Sequence, residues 1–275
     1  MYPGALYNHL LLTPVLDQDQ RARLDIVLVS PRNPLNIGAV ARAMANFGFA
    51  HLTVAAPYAP NWREAKSAIG APELLEQASE MPSLRQAVAA CSFVAGTGTL
   101  THRKPEQPAV PLHALGPILQ RELARGGRAA LVFGAEKHGL TRDDLAFCNV
   151  LVEIPTDPHQ PSMNLGQAAA VCFYELAGRP MPADAPPAGE AAGSAPAGLD
   201  APAPASADLD RLAGLIEETM AAARYSPQSM QAANRQDLRL LLRRLALSAH
   251  DTRRILGLFR RILWRLARTP SPPES

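Results

Sequence analysis

The chain has 275 residues, 47% of them hydrophobic, and a formal charge of +2. That is apolar content for one large domain, or for a medium domain with a small appendage, and no apolar run is long enough to span a membrane. The three cysteines, Cys91, Cys148 and Cys172, stand far apart with no CxxC pair, which argues against zinc and disulfides and for small buried residues in a cytoplasmic protein.

The first segment, 1–22, includes NHLLLTPVL with no basic stretch before it. It is expected to be a disordered or loosely docked N-terminal extension and not a signal peptide. DIVLVS (25–30) is a branched-aliphatic run, the pattern of a buried strand. NPLNIGAVARAMANF (33–47) then reads as a helix with a single charge. Arg42 stands there among Gly38, Ala39 and Ala45, and Asn33 and Asn36 precede it. A solvated helix face carries several charges. A lone five-donor side chain among small residues instead leaves room for a ligand, or serves an interface ion pair.

HLTVAAP (51–57) reads as a second strand, SLRQAVAAC (83–91) as a helix and SFVAGTG (92–98) as a strand entering a glycine turn. PLHALGPILQRELAR (111–125) is helical, and RAALVFGAEKHGL (128–140) is a strand that breaks at Gly134. TRDDLAFC (141–148) opens a short helix capped by Thr141. VLVEIP (150–155) is another strand, and MNLGQAAAVCFYELAG (163–178) is a long helix closed by Gly178. The alternation predicts an α/β domain over 23–180 with a mostly parallel sheet. Ligands of such sheets bind beyond the carboxyl ends of the strands, where NPLN, GTGT, FGAEKHG and IPTDPHQPSMN all fall.

Residues 181–207 are mostly Ala, Pro and Gly and are expected to be a linker. Residues 208–270 read as a small helical domain of two or three helices. Charge is uneven: 1–180 balances, 181–207 carries −3 and 208–275 carries +5. From Arg235 to Arg268 there are 10 arginines against Asp237 and Asp251. This excess suggests an anionic partner, although arginine pairs between Leu and Ile also suit the wet face of a helical hairpin.

The chain has no GxGxxG, P-loop, HExxH or GxSxG segment, and His102, His138 and His159 sit in separate loops. No metal site is expected. What remains are turns rich in glycine, proline and asparagine, in which main-chain groups can approach a ligand closely. Asn36, Ser162 and Asn164 also suit helix caps, and Glu136 suits a loop brace.

NPLNIGAVARA (33–43), LVFGAEKHGL (131–140) and IPTDPHQPSMNLGQAAAV (154–171) resemble the three motifs of the TrmH/SpoU branch of the SPOUT RNA methyltransferases, in the same order. The IPT-x-P variant and the basic helical C-terminus most resemble the TrmJ subgroup. The resemblance implies an α/β domain with a C-terminal trefoil knot, a homodimer, and S-adenosylmethionine as methyl donor. It implies ribose 2′-O-methylation of a cytidine or uridine in the tRNA anticodon loop, at position 32. Ribosomal RNA as substrate, or a non-catalytic RNA-binding protein of the same fold, are the alternatives. By motif position the donor would lie against Thr97, Gly98, Thr99, Gly134, Ile154, Pro161, Ser162 and Met163. Arg42 matches the motif arginine proposed to act on the target ribose, Asn36 and Glu136 match positions thought to shape the site, and Ser162 and Asn164 match the polar pair of the third motif. Candidate RNA contacts are Arg42, Arg103, Arg243 and Arg244. The run LTHRK displaces Arg103 and Lys104 from the family's usual arginines, and Met163 stands where leucine is common.

Overall fold

A computed structural model describes residues 13–65, 67–99, 106–178, 180–181, 202–225 and 230–268. In chain order its elements are β1 (Thr13–Pro14), α1 (Gln18–Arg21), β2 (Leu24–Val29), α2 (Pro34–Phe47), β3 (Leu52–Ala55), α3 (Pro72–Glu76), β4 (Ser79–Met81), α4 (Leu84–Ala87), β5 (Phe93–Thr97), β6 (Ala109–Pro111), α5 (Leu115–Ala124), β7 (Ala129–Phe133), α6 (Arg142–Leu145), β8 (Val150–Glu153), α7 (Leu165–Phe173), β9 (Pro180–Met181), α8 (Ser206–Ala222), α9 (Gln231–Arg244) and α10 (Ala249–Leu266).

Seven strands form one sheet in the order β4-β3-β2-β7-β5-β8-β6. Every neighbouring pair in it is parallel. The central strands are aliphatic without alternation because both sheet faces are covered. Leu24, Ile26, Leu28, Leu131 and Phe133 pack with residues of α2, α5 and α7 on one face. Val27, Val29, Val132 and Leu151 pack with Leu84, Val88 and Phe147 on the other. The edge strands β4 and β6 are three residues each and largely exposed. They lack the apolar runs that mark the central strands.

Two helices set the geometry of the site. α2 starts where the Asn33 side chain accepts from the Leu35 amide and Pro34 presets the first turn, and it stops at Gly48 with φ 72°. α7 starts at Asn164, whose side chain accepts from the Gly166 and Gln167 amides. A Cβ at Gly166 would stand 2.8 Å from that of Ala39, so glycine is what lets α2 and α7 approach so closely. After Phe173 the long helix expected to 178 widens into a π-helical turn, Tyr174–Gly178.

The N-terminal segment differs from the expectation of a loose extension. Val15 and Leu16 are buried, β1 pairs antiparallel with β9, and the Leu16 amide donates to the Leu176 carbonyl at 2.8 Å. Arg21 donates to the Phe47 carbonyl at 2.6 Å and so closes the end of α2. Two apolar side chains and one arginine dock this segment, too few to stand out as a pattern in the sequence.

Of the linker stretch, 182–201 lies outside the described residues. The helical segment starts at Ser206, before the predicted boundary, with the Ser206 and Ala207 amides donating to the carbonyls of Cys91 and Ala89. α8, α9 and α10 share a small core of Leu209, Leu212, Ala213, Leu242 and Leu256. They are joined to the sheet domain by Asp210, which is buried and lies 2.7 Å from Arg85, 3.3 Å from Arg239 and 4.0 Å from Arg243.

Candidate active site

Five chain exits meet at the carboxyl end of the sheet, after β2, β3, β5, β7 and β8. At the exits of β5, β7 and β8 lies a cavity of about 270 Å³, lined by Thr97, Gly98, Thr99, Gly134, Glu136, His138, Ile154, Pro161, Ser162 and Met163, together with Phe133, Leu165 and Ala168. All eight residues expected to hold the methyl donor are in this lining. Backbone forms much of it. The loop after β7 turns back on itself, with Ala135 bridging to Gly139. A Cβ at Gly134 would overlap the Gly139 backbone, so the turn requires glycine. Thr97 donates its hydroxyl to the Val132 carbonyl at 3.0 Å, and Thr156 donates to the Pro161 carbonyl at 3.2 Å. Both bonds fix loop walls.

Beside the cavity runs a hydrogen-bonded chain that joins all three motif segments. Glu136 accepts from the Arg32 amide at 2.9 Å, the Asn33 amide at 3.0 Å and the Asn36 side chain at 2.9 Å. Asn36 in turn accepts from the Asn164 side chain at 3.0 Å, and the Asn164 oxygen caps α7. Burial pushes the Glu136 carboxyl up. The bonds from Asn36 and from the amides of Arg32, Glu136 itself and Asn33 outweigh this and hold it below the usual carboxylate range. Asn36 is therefore not the cap of α2, one of the roles its position suited. Asn33 is the cap, and Asn36 bridges two other segments.

Arg42 lies on the exposed face of α2. Among the described residues it has no hydrogen-bond or ion-pair partner. By helical spacing it shares a stripe with Leu35, Ala39 and Asn46, and α2 packs against α7. Leu35 on α2, Val171 on α7 and Tyr174 just after it are exposed large apolar side chains.

The C-terminal arginines divide. Arg243, expected to meet RNA, is buried. It donates to the Phe147 carbonyl at 3.1 Å and the Ser206 hydroxyl at 2.8 Å, and its guanidinium sits 5.5 Å from the centroid of the Phe147 ring. It holds the helical segment onto the sheet domain and cannot reach RNA. Arg244 is half exposed, 4.0 Å from Glu106. Arg103 lies outside the described residues. Cys91, Cys148 and Cys172 are free and buried, and burial pushes the thiols of Cys148 and Cys172 up to about 12. Among the described residues no three His, Cys, Asp or Glu side chains cluster as metal ligands, and no helix is long and apolar enough to cross a membrane.

The cavity suits the donor that the motif resemblance implies. S-adenosylmethionine has a flat base whose polar edge matches main-chain groups, and the lining combines open backbone at 97–99 and 134–139 with apolar Ile154, Met163, Leu165 and Ala168. A Cβ at Gly98 would meet nothing within 4 Å, so the chain is bare on the side where that Cβ would stand. Sequence reasoning had not singled out Ala135, Lys137 and Gly139 of the lining, nor the two amides that hold Glu136. Such contacts run through backbone, which leaves no residue-type signature.

Residues 23–174 match the model of the SpoU rRNA Methylase family. A Pectobacterium atrosepticum protein named tRNA (cytidine/uridine-2′-O-)-methyltransferase TrmJ is 31% identical over 245 residues, 89% of this chain and 96% of that protein. A Pseudomonas aeruginosa protein named tRNA (cytidine/uridine/adenosine-2′-O-)-methyltransferase TrmJ is 37% identical over 155 residues, 56% of this chain and 60% of that protein. The crystal structure of TrmJ from Z. mobilis ZM4 superposes with a TM-score of 0.72 at 26% identity, covering 88% of this chain and 99% of that one.

Proposed function

The chain belongs to the SpoU rRNA methylase family, and from that premise we propose that it transfers a methyl group from S-adenosylmethionine to a ribose 2′-oxygen of tRNA, at a cytidine or uridine of the anticodon loop. The observation that carries this reading is that three distant segments are tied by the Glu136–Asn36–Asn164 chain, two of them lining one cavity, with Arg42 unpaired on the exposed face of α2. The named relatives act on tRNA by their printed names, which favours tRNA over ribosomal RNA.

When bound, S-adenosylmethionine supplies an electrophilic methyl group. Thr97, Gly98, Thr99, Gly134, Ile154, Pro161, Ser162 and Met163 would hold it. Arg42 binds the phosphate next to the target ribose through its forked donors. Its positive charge favours ionisation of the neighbouring 2′-hydroxyl, whose proton passes to that phosphate or to water as the oxygen takes the methyl group from the sulfonium. Glu136 is a brace and not the base: its two oxygens already accept three bonds, and a carboxylate held below its ordinary range takes up protons poorly at neutral pH. Asn164 caps α7 and Asn36 ties that cap to Glu136, so that orientation carries much of the rate.

Three further features belong to this reading. β8 comes later in the chain than β5 and β6 and lies between them in the sheet; this order suits a chain threaded into a trefoil knot. The exposed apolar stripe of Leu35, Val171 and Tyr174 around Arg42 suits a homodimer whose second subunit completes the site. The arginines of α10 suit contact with the tRNA backbone outside the loop.

The test is transfer of labelled methyl from S-adenosylmethionine to total bacterial RNA, followed by nucleoside mass analysis. Label in 2′-O-methylated cytidine or uridine of the tRNA fraction is the expected result. Label in ribosomal RNA would move the substrate and keep the chemistry. Donor binding without any label would overturn the reaction.

A further inference from the structure

Two side chains on neighbouring loops at the carboxyl end of the sheet have no role in the chemistry above. Arg32 follows β2 and Tyr58 follows β3, both at the carboxyl end of the sheet. The Arg32 amide is one of the three donors to Glu136, at 2.9 Å. The Tyr58 amide donates to the Pro31 carbonyl at 3.2 Å. Both loops leave their strands through a non-glycine residue in the left-handed region, Ser30 at φ 47° and Ala56 at φ 49°. Each of those residues is tied into the sheet, Ser30 to the Ala55 carbonyl and Ala56 to the Met81 carbonyl, both at 2.8 Å. The Arg32 guanidinium lies over the Tyr58 ring, 5.3 Å from its centroid.

Tyr58 is nonetheless 74% exposed. Among the described residues neither the Tyr58 hydroxyl nor the Arg32 guanidinium has a hydrogen-bond or ion-pair partner. An exposed tyrosine contributes little to the core, and a cation placed over its face leaves the other face free for a second flat group. A partner that is both anionic and aromatic matches this pair. Single-stranded RNA is such a partner, with bases to stack on tyrosine and phosphates to pair with arginine.

We propose that Tyr58 and Arg32 form a stacking platform for a nucleobase adjacent to the target nucleotide, with Arg32 binding that nucleotide's phosphate. The proposal rests on the RNA methylation reading above and assigns the site a flanking-base contact. It also gives Glu136 a second consequence. The carboxylate that braces the Asn36 side chain holds the backbone of the platform's arginine as well, so base docking and ribose positioning share one anchor.

The experiment uses the full chain and an RNA stem-loop with 2-aminopurine placed beside the target position, read by fluorescence and by methyl-transfer kinetics. Wild-type protein should quench the probe on binding. Tyr58→Leu should lose the quench and raise KM for the RNA about tenfold, with melting temperature and S-adenosylmethionine affinity unchanged. Tyr58→Phe and Tyr58→Trp should restore both readouts, which a merely structural role of the hydroxyl would not allow. If the wild type methylates RNA and Tyr58→Leu matches it in quench and KM, the platform is wrong. If Tyr58→Leu instead changes the sedimentation of the protein and leaves the quench intact, the pair is a subunit contact and the proposal falls. Quenching through Tyr58 without any methyl transfer would keep the platform and overturn the reaction.

Discussion

At the scale of single residues, two side chains separate chemistry from support. Arg42→Ala should lower methyl transfer by on the order of 10²–10³ with S-adenosylmethionine binding retained; equal turnover by the variant in a single-turnover assay would remove Arg42 from the mechanism. Glu136→Gln keeps the shape but gives up the charge and one acceptor oxygen. It should cost about 1 kcal/mol of stability at neutral pH, because the carboxylate is partly solvated. The sign of its pH dependence follows from the depressed pKa. The stabilisation is fully present above the ordinary value near 4.5 and is lost as pH falls through the lower folded value. Melting curves of the two proteins should therefore differ at neutral pH and converge in acid; a gap that stays constant would remove the charge from the account. Asn36, Glu136 and Asn164 stand out in the sequence because their motifs are local. The bonds that link them do not, since each spans 100 residues or more. Tyr58 went unremarked for a different reason: a single tyrosine in a proline-rich turn carries no pattern.

At the scale of elements, what could be read from sequence tracks burial. The central strands announced themselves as aliphatic runs, while β4 and β6 are short and exposed and were missed. The pair Arg243–Arg244 looked like a wet helix face, yet the way α9 docks on Phe147 puts one arginine inside and leaves the other out. No periodicity distinguishes the two, because tertiary contact decides. Asp210 is the counter-charge of that docking, and Asp210→Ala would leave Arg243 buried without its carboxylate. A loss of about 3–5 kcal/mol is expected, with hydrogen exchange rising in α8 and α9 and staying slow in β2 and β7. Uniform exchange across both parts would show that the helical segment is not held by this residue. Gly134→Ala should cost about 3 kcal/mol or more and abolish donor binding, since the added carbon falls on the backbone of Gly139. A variant that binds S-adenosylmethionine normally would show that the turn can relax.

For the molecule as a whole, one end of the sheet carries the candidate site and the C-terminal helices carry the excess positive charge. Arg253, Arg254, Arg260 and Arg261 lie on α10 and are exposed. Replacing all four by glutamine should weaken tRNA affinity and flatten its salt dependence, by up to roughly 0.9 in the logarithmic slope per lost contact. An unchanged slope would make these arginines a solvated face only. The strand order has a consequence for how the protein is made. β8 is synthesised after β5 and β6 but belongs between them, and α7, which supplies Asn164, comes later still. A nascent chain emerging from the ribosome can assemble β2, β3 and the turn at Asn33 early. It cannot close the donor cavity until residues beyond 165 are free to move into place. The parts of this site are therefore made far apart in time, and the last of them to leave the ribosome is the one that completes it.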